Sequence, residues 1–319
     1  MILSEEIKQK AFELGFDLVG ITTADPLNPQ EVLFFKQWLE QGFAAQMDFF
    51  HKNFDKRLNP SLLLDDAKSI IVTAINYKPP ALAQNISLPY PVGRIASYAQ
   101  YEDYHTFIEN YLRKLADFIT SIWGEKLKFK ICVGSAPVAE KTLAARAGLG
   151  FIGKNHLLIN PLLGTQLLLG EIITTIELKP DKPVEPDCQN CDKCIKNCPT
   201  GALRSDGFLD ANKCVSYLTI EHKSDRPLDL ISKIGDRLFG CDECILACPF
   251  QKSAPFCRNK QFSFYPDLDS PSISEISSLD QNGFYKKFAH SPVERIGLER
   301  LKRNALICLE NEKRRFSGK

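Results

Sequence analysis

Hydrophobic residues recur at helical or strand spacing along the first half of the chain, and Gly or Pro stands where most of these segments end. A spacing of three to four residues predicts an amphipathic helix, and a short continuous apolar run predicts a buried strand. The predicted helices are Ser4–Gly15, Glu31–Gln41, Tyr104–Trp123 and Val138–Ala147. The predicted strands are Ser69–Tyr77, Leu127–Val133 and a pair at His156–Asn160 and Gln166–Glu177. Helices and strands alternate without a clear βαβ count, which indicates an α+β fold.

The same pattern predicts helix faces and irregular segments. In the second predicted helix the apolar spacing points four side chains inward: Leu33, Phe34, Trp38 and Leu39. Residues 81–94 are rich in Pro and Asn and are predicted to form a loop, and Lys179–Pro186 contains three prolines, which predicts a domain boundary. Two further helices are predicted at Ser272–Leu279 and Pro292–Leu309, and the polar tail from Glu310 is expected to fray.

Composition and charge narrow the class of protein. The 319 residues are 44% hydrophobic and 25% charged, with a net charge of +1, so any contact with nucleic acid must come from a local basic face. The N-terminus lacks the features of a signal peptide. No apolar run approaches the roughly 20 residues of a membrane span, since Gly170 and Glu171 interrupt the longest one. We therefore expect a cytoplasmic protein that does not enter a membrane.

The cysteines carry the strongest chemical signal. The chain has 11 cysteines, and without a signal peptide disulfides are not expected. Two runs stand out, Cys188-x-x-Cys191-x-x-Cys194-x-x-x-Cys198-Pro199 and Cys241-x-x-Cys244-x-x-x-Cys248-Pro249, with Cys214 between them. The first run is the spacing of bacterial ferredoxins, in which three thiolates bind one cubane and the fourth reaches its neighbour. Zinc is the alternative, but its sites usually consist of two separated pairs of ligands.

This spacing predicts two 4Fe-4S clusters that share the two runs crosswise. The first cluster is predicted to be held by Cys188, Cys191, Cys194 and Cys248, and the second by Cys198, Cys214, Cys241 and Cys244. Of the remaining cysteines, Cys132 and Cys308 are predicted to be small buried residues and Cys257 a spare thiol. We assign chemistry to none of these three.

Several motifs together resemble the epoxyqueuosine reductase family, and the resemblance covers nearly the whole chain. Besides the cysteine runs, it rests on Lys56-Arg57, Ser135–Val138, Glu140-Lys141, Arg146–Asn155, Gly170-Glu171, Cys214–Glu221, Gly240–Asp242, Arg295–Gly297 and Arg303–Ala305. It implies an N-terminal cobalamin-binding domain related to reductive dehalogenases, a ferredoxin-like domain with two 4Fe-4S clusters, and C-terminal helices. The corresponding ranges are 1–178, 179–260 and 261–319.

The resemblance also implies an activity. Electrons from an unknown low-potential donor pass through the clusters to cobalamin, and epoxyqueuosine at the wobble position of a tRNA anticodon is reduced to queuosine. It implies a monomer. Another cobalamin-dependent reductase of the dehalogenase kind and an iron–sulfur electron-transfer protein are the alternatives. The long segment before Cys188 disfavours the last of these, because a simple carrier needs far fewer residues.

The cobalamin site is implied by the resemblance alone. The implied contacts are Arg57, Gly134, Lys154, Asn155, Gly170, Ser216 and Thr219. Several of these motifs have a plainer interpretation: Arg57 as a solvated charge, Ser216 and Thr219 as helix caps, and the glycine-rich run 148–153 as a tight turn. That run has GxGxxG spacing, but no βαβ unit surrounds it, so a dinucleotide site is disfavoured.

The proton donor is where the chain departs from the family. Opening an epoxide leaves an alkoxide that requires a proton. The family usually has an aspartate directly before Ser-Ala-Pro, and this chain has Gly134 there. Glu140 is the nearest carboxylate of the motif and is the predicted catalytic residue, although it is equally suited to a surface position or to pairing with Lys141.

Basic residues near the C-terminus suit an RNA partner. They are Lys286, Lys287, Arg295, Arg300, Lys302, Arg303, Lys313, Arg314 and Arg315, interleaved with Phe284, Tyr285 and Phe288. Anticodon loops are bound by base stacking together with phosphate contacts, so this mixture fits the tRNA that the resemblance implies. Charged helix faces are common, however, and the cluster alone would not indicate RNA.

Overall fold

A computed structural model describes residues 2–80, 91–124, 126–185, 188–224 and 228–317. Most of the predicted loop at 81–94 and the last residue of the predicted boundary, Pro186, lie outside this range. In the part that is described, no helix has the length and apolar character needed to cross a bilayer.

Helices and strands alternate in the first half, and short helices dominate the second. The helices are α1 (Ile2–Glu13), α2 (Pro29–Glu40), α3 (Phe49–Lys52), α4 (Phe54–Leu58), α5 (Tyr104–Trp123), α6 (Glu140–Arg146), α7 (Lys193–Lys196), α8 (Val215–Ile220), α9 (Leu228–Ile234), α10 (Glu243–Leu246), α11 (Pro249–Ser253), α12 (Ile273–Ser278), α13 (Gln281–Phe288) and α14 (Gly297–Ser317). The strands are β1 (Leu18–Thr23), β2 (Ser69–Asn76), β3 (Arg94–Ile95), β4 (Phe129–Cys132), β5 (Phe151–Ile152), β6 (Leu158–Ile159), β7 (Leu167–Thr174) and β8 (Arg237–Phe239). This mixture confirms the α+β class.

A four-stranded antiparallel sheet in the order β1-β2-β7-β4 forms the centre of the first half. Successive side chains of a strand point to opposite faces. Ile71 and Ile172 face α1 and α5, while Ile70 and Ile173 face α6. Both faces of β2 and β7 are therefore buried, which explains their almost continuous apolar sequence.

Two features of the sheet differ from the sequence prediction. Strand β1 was not predicted, because its six residues lie at the edge of the sheet and include Gly20, Thr22 and Thr23. The predicted pairing of His156–Asn160 with Gln166–Glu177 is wrong. Strand β6 pairs instead with β5 in a small hairpin, and β7 pairs with β2 and β4.

The predicted inner face of α2 is also wrong in part. Leu39 is buried, but Leu33 is 54% exposed and Phe34 is 41% exposed. The ring of Phe34 stacks on Phe208, with 4.8 Å between their centroids, and also lies against His156. The apolar face of α2 therefore continues onto aromatic groups from distant parts of the chain, which periodicity within one helix does not reveal.

A second core joins the cysteine-rich region to both neighbouring segments. Strand β3 pairs in parallel with β8, and Ile95 packs with Phe239, Leu301 and other side chains of the C-terminal helices. Phe262 packs on the opposite side into the core beneath α5. Hydrophobic clusters thus cross both predicted boundaries, and the division into 1–178, 179–260 and 261–319 stays a prediction.

The C-terminal tail does not fray at Glu310. Helix α14 continues to Ser317, and the buried Asn311 donates hydrogen bonds to the carbonyl oxygens of Ile231 and Gly235. The Ile231 carbonyl belongs to α9, and the Gly235 carbonyl directly follows it. The buried side-chain amide of Asn311 therefore caps the C-terminus of α9, and this contact holds the polar end of α14 in helical form.

Candidate functional site

The first cysteine group surrounds one cavity. Cys188 and Cys191 lie in the turn that leads into α7, Cys194 lies in α7 itself, and Cys248 directly precedes α11. All four line a cavity of about 370 Å³. Two backbone carbonyls of this turn, those of Gln189 and Cys191, accept hydrogen bonds from Lys154 Nζ at 2.7 and 2.9 Å.

The second group brings together Cys198, Cys214, Cys241 and Cys244. Burial raises the pKa of the Cys244 thiol, and the neighbouring Cys214, Cys241 and Cys198 raise it further. Burial likewise raises the pKa of Cys241 to about 11. Because Cys214, Cys241 and Cys198 all act electrostatically on Cys244, the four thiols are close in space, although Cys198 and Cys241 are far apart in sequence. The cysteines of each predicted set thus lie near one another, and their role as ligands of two clusters stays a prediction.

Backbone amides point toward the sulfurs. Burial alone raises the pKa of Cys198, but N–H groups of Leu203 and Thr200 and the Thr200 hydroxyl outweigh it and lower that pKa. Such donors stabilise a thiolate and tune the potential of a bound cluster. In the described residues no three His, Cys, Asp or Glu side chains converge closely enough for a single metal ion. A cubane is several atoms across, and its thiolates stand further apart than those around one ion.

Two of the three remaining cysteines lie where the sequence predicts. Cys132 in β4 and Cys308 in α14 are each 1% exposed and belong to hydrophobic clusters, which confirms their assignment as small core residues. Cys257 is only partly buried and packs beside the core under α5.

A polar site lies where the loop after β4 meets the N-terminus of α6. The backbone N–H of Gly134 donates to Glu140 Oε1 at 2.6 Å. Burial raises the pKa of Glu140, against the opposing effects of the Gly134 N–H, Lys141, His105 and Arg57. Raising this pKa favours the protonated carboxyl. The predicted residues Gly134 and Glu140 are thus in direct contact.

Arg57 forms the opposite wall of this site. Its Nη1 donates to the Val138 carbonyl at 2.9 Å, and its guanidinium lies 4.8 Å from the centroid of the Phe50 ring. The buried Nε has no hydrogen-bond partner. Burial lowers the pKa of Arg57, and Glu140 opposes this. Arg57 is therefore not a solvated surface charge, and one of its donors is available to a ligand.

This polar site adjoins the second cysteine group. Burial lowers the pKa of Lys141, whereas Glu140 and Cys244 raise it, which places all three groups within electrostatic reach. Burial also raises the pKa of Tyr77, and Asp242 and Cys244 add to the increase. Lys141 Nζ is held by the carbonyl of His156. A short path therefore separates the polar site from the second cysteine group.

Sequence reasoning missed one group of residues at this site. Asp103 accepts a hydrogen bond from the backbone N–H of His105 at the start of α5, and its Oδ1 lies 2.8 Å from His105 Nδ1. The His105 ring stacks on Tyr104 with 4.0 Å between the centroids. The available signal was an Asp followed two residues later by His at a predicted helix start, which is a helix cap in most proteins.

Other predicted cofactor contacts lie beside the two cysteine groups. Lys154 and Asn155 line the cavity of the first cysteine group, where the buried Asn155 Nδ2 has no partner. Ser216 is half-buried, and its backbone amide faces the Cys214 sulfur. Thr219 is fully buried, and its hydroxyl accepts from Gly240 N and donates to the Val215 carbonyl. A contact of its side chain with a cofactor is therefore not supported.

Close packing within the fold explains why glycine stands at several predicted positions. A Cβ at Gly170 would lie 2.5 Å from Ile108 of α5. A Cβ at Gly150 would lie 2.2 Å from the Ile159 carbonyl, and one at Gly148 would lie 2.5 Å from that of Lys182. Close packing within the fold therefore accounts for these glycines. The run lies at the β5–β6 hairpin instead of between a strand and a helix of a βαβ unit, which agrees with disfavouring a dinucleotide site.

Much of the predicted basic cluster makes intramolecular contacts. Arg295 pairs with Glu221 at 3.0 Å and Lys287 pairs with Glu275 at 2.8 Å. Arg300, Lys302 and Arg303 donate to the backbone carbonyls of Ile220, Leu279 and His222. The predicted stacking by Phe284 and Phe288 is wrong, because both rings are core residues, whereas Tyr285 is exposed.

Comparison with known proteins independently supports the family resemblance seen in the sequence. Residues 57–135 match the family described as epoxyqueuosine reductase QueG, and residues 187–251 match the 4Fe-4S double cluster binding domain. The chain is 37% identical to an epoxyqueuosine reductase of Vibrio cholerae, over 97% of this chain and 83% of that protein.

Solved structures of epoxyqueuosine reductases have the same fold as this chain. An epoxyqueuosine reductase with an epoxyqueuosine-modified tRNA-Tyr stem loop superposes with a TM-score of 0.91 and 32% identity, over 97% of this chain and 81% of the other. The Bacillus subtilis enzyme, solved with a catalytic aspartate loop swung out of its active site, gives a TM-score of 0.90 at 32% identity, over 97% and 82% of the two chains. Similarity across nearly the whole length, in sequence and in fold, shows that this chain belongs to the epoxyqueuosine reductase family.

Proposed function

We propose that this protein reduces epoxyqueuosine in tRNA to queuosine, with electrons passing through two 4Fe-4S clusters to cobalamin. The observation that carries the proposal is the juxtaposition of the second cysteine group with the polar site around Glu140, joined through Lys141. A redox centre beside an accessible polar site suits an enzyme better than a carrier. Family membership supplies the substrate class, since the superposed relative contains an epoxyqueuosine-modified tRNA stem loop.

The two cysteine groups suit 4Fe-4S clusters. Their donor set is thiol only, and amide donors face the sulfurs, as iron–sulfur sites require. We assign Cys188, Cys191, Cys194 and Cys248 to the first cluster, and Cys198, Cys214, Cys241 and Cys244 to the second. Because Cys244 lies within electrostatic reach of Lys141, the second cluster is the one placed to supply electrons to the polar site.

Cobalamin suits the polar site on one observation, the buried Nε of Arg57 without a partner. We assign Arg57, Gly134 and Ser216 to its binding, and Lys154 and Asn155 to the neighbouring wall at the first cluster. When bound, the cofactor would supply the low-potential two-electron chemistry at the epoxide. Solved reductive dehalogenases superpose only with TM-scores such as 0.35, so the relation of this domain to them stays a prediction.

The chain itself must supply protons. Removing an epoxide oxygen as water takes two electrons and two protons, and the oxygen is basic once its first C–O bond breaks. Glu140 is the predicted donor, and burial raises its pKa in the direction that a donor needs. Its Oε1 already accepts from Gly134 N, so the carboxyl also fixes the loop.

The RNA contact is proposed for the face around α13. Tyr285 there is 50% exposed, and the neighbouring Lys286 is also exposed. An exposed aromatic ring beside a cation suits a base and its phosphate. The paired basic residues of α14 are better suited to holding this face in place than to binding RNA.

The test uses anaerobically reconstituted protein with cobalamin, a chemical reductant and an anticodon stem loop that contains epoxyqueuosine. We expect the cobalamin spectrum to change on binding, and nucleoside analysis to show queuosine without any partner protein. Conversion that requires a second protein would favour the electron-transfer alternative. Binding of cobalamin without any conversion of the stem loop would favour another cobalamin-dependent reductase.

A further inference from the structure

The space beside Gly134 is already occupied by an acid–base group. The residue has φ +59°, and a Cβ built on it would lie 2.4 Å from His105 Nε2, 2.7 Å from His105 Cδ2 and 2.9 Å from the Tyr104 hydroxyl. Real Cβ atoms do not approach other atoms so closely. The imidazole of His105 therefore fills the volume that a side chain at position 134 would need.

The imidazole is also oriented. Asp103 Oδ1 lies 2.8 Å from His105 Nδ1, so Nδ1 carries a proton toward the carboxylate and Nε2 points to Gly134. Burial alone raises the pKa of Asp103, but hydrogen bonds from the His105 ring and backbone outweigh it and lower that pKa. Because Nδ1 faces Asp103, a proton donated toward the space beside Gly134 must come from Nε2.

His105 is better suited to donate a proton than its neighbours Tyr104 and Glu140. The His105 side chain is 28% exposed, so the ring is open on one side. Burial raises the pKa of the Tyr104 hydroxyl, which makes it a weak acid for this task. Glu140 Oε1 accepts from the N–H of Gly134, whereas the three atoms nearest a Cβ at position 134 belong to His105 and Tyr104.

We propose that His105, oriented by Asp103, is the residue that donates the proton to the substrate oxygen in this chain, and that Glu140 positions the Gly134 loop. This inference rests on the proposed function. Two electrons arrive from the low-potential donor through the clusters, the first epoxide C–O bond breaks, and the oxygen takes a proton from His105 Nε2. The second C–O bond breaks as the C=C bond forms, and the oxygen leaves as water with a second proton from solvent. The neutral ring then regains a proton from solvent at its exposed side.

The experiment compares matched variants of the reconstituted protein in single turnover with the modified stem loop. We expect His105→Gln to lower the rate on the order of 100-fold, the usual contribution of a general acid, while stem-loop affinity changes by less than about threefold. Glu140→Gln keeps an acceptor for Gly134 N–H but alters the loop that Glu140 positions, so it should lower the rate by a smaller factor, about tenfold. Equal loss in both variants, or an unchanged rate in His105→Gln, would overturn the assignment.

A double variant tests whether an acidic side chain at position 134 can replace His105 as the proton donor. Asp tolerates positive φ, so in His105→Ala combined with Gly134→Asp a carboxylate can enter the volume of the ring once the Tyr104 hydroxyl shifts slightly. We expect this double variant to recover at least about tenfold over His105→Ala alone. A folded, RNA-binding double variant with no recovery would count against the proposal.

A second readout does not depend on turnover. The ring resonance of His105, identified by its loss in His105→Gln, should shift when the epoxyqueuosine stem loop is added but not when an unmodified one is added. An identical response to both would overturn direct contact. Failure of the unaltered protein to convert the stem loop overturns the proposed function, whereas equal conversion with and without His105 overturns only the role of His105.

Discussion

Cys248 is the residue that best tests the crosswise sharing of the clusters. It follows α10 and stands near Cys241 and Cys244 in sequence, but it lines the cavity of the first group. We expect Cys248→Ser to reduce iron from about eight to about four atoms per chain and to leave the same remaining cluster as Cys188→Ser. Electron paramagnetic resonance of the reduced variants checks this.

Cys257→Ser provides the control, because Cys257 lies outside both groups. It should keep the full iron content. If Cys198→Ser kept the same cluster as Cys188→Ser, and Cys248→Ser kept the other one, each run would serve its own cluster.

Glu171 is a buried acid that should make stability depend on pH. Neither of its carboxyl oxygens has a partner, and burial, followed by the charge of Glu140, raises its pKa well above the ordinary value. The native state then binds the proton more tightly than the unfolded chain. The stability that the protonated Glu171 contributes is fully present below the ordinary carboxyl pKa. It is lost as the pH rises from that value through the raised pKa of the native state.

We therefore expect Glu171→Gln to raise the free energy of unfolding at neutral pH and to flatten its dependence on pH by up to about 1.4 kcal/mol per pH unit. Chemical denaturation between pH 5 and 8 measures this. Glu177→Gln, at an exposed position just beyond β7, should change neither quantity. A parallel dependence in Glu171→Gln and the unaltered protein would refute the assignment.

At the scale of elements, one amide joins three parts of the second cluster region. Asn304 of α14 is 1% exposed, and its Nδ2 donates to the carbonyls of Thr219 in α8 and Leu238 in β8. Helix α8 follows Cys214, and β8 leads into Cys241. Asn304 therefore fixes the separation of two ligands that lie far apart in sequence.

Asn304→Leu should destabilise the protein by about 2 kcal/mol or more, because it leaves buried carbonyls without their donor. We also expect the second cluster to be lost faster in air, as followed by the visible absorbance. Leu306→Ala, on the exposed side of the same helix, should leave both unchanged. Selective loss of the first cluster in Asn304→Leu would contradict this account.

Local patterns predicted the long elements well and the contacts between them poorly. The predicted helix Tyr104–Trp123 agrees at both ends because its apolar spacing is regular and Asp103 caps it. The cysteine sets followed from ligand spacing, since a cubane dictates it. The hydrogen bond to Asn311, the stacking of Phe34 on Phe208 and the approach of His105 to Gly134 join residues that are distant in sequence, so no local period encodes them.

At the scale of the whole molecule, the cluster region is not an appendage. Strand β3 precedes α5 in the chain, but it pairs with β8 beside Cys241, and Ile95 shares a core with Phe239 and Leu301. Trp38 of α2 donates from Nε1 to the Leu209 carbonyl at 2.7 Å, between the cysteine runs. The sheet and the cluster region therefore support each other.

Removing the iron should consequently weaken the entire fold. We expect chelator-treated protein to unfold at a lower temperature in one transition, with far-UV circular dichroism and Trp38 fluorescence changing together. The chain has two tryptophans, so Trp123→Phe, at an exposed helix end, isolates the Trp38 signal. If the fluorescence changed early while the sheet signal persisted to the temperature of the iron-loaded protein, the sheet and the cluster region would be independent units, and the shared core would contribute little to stability.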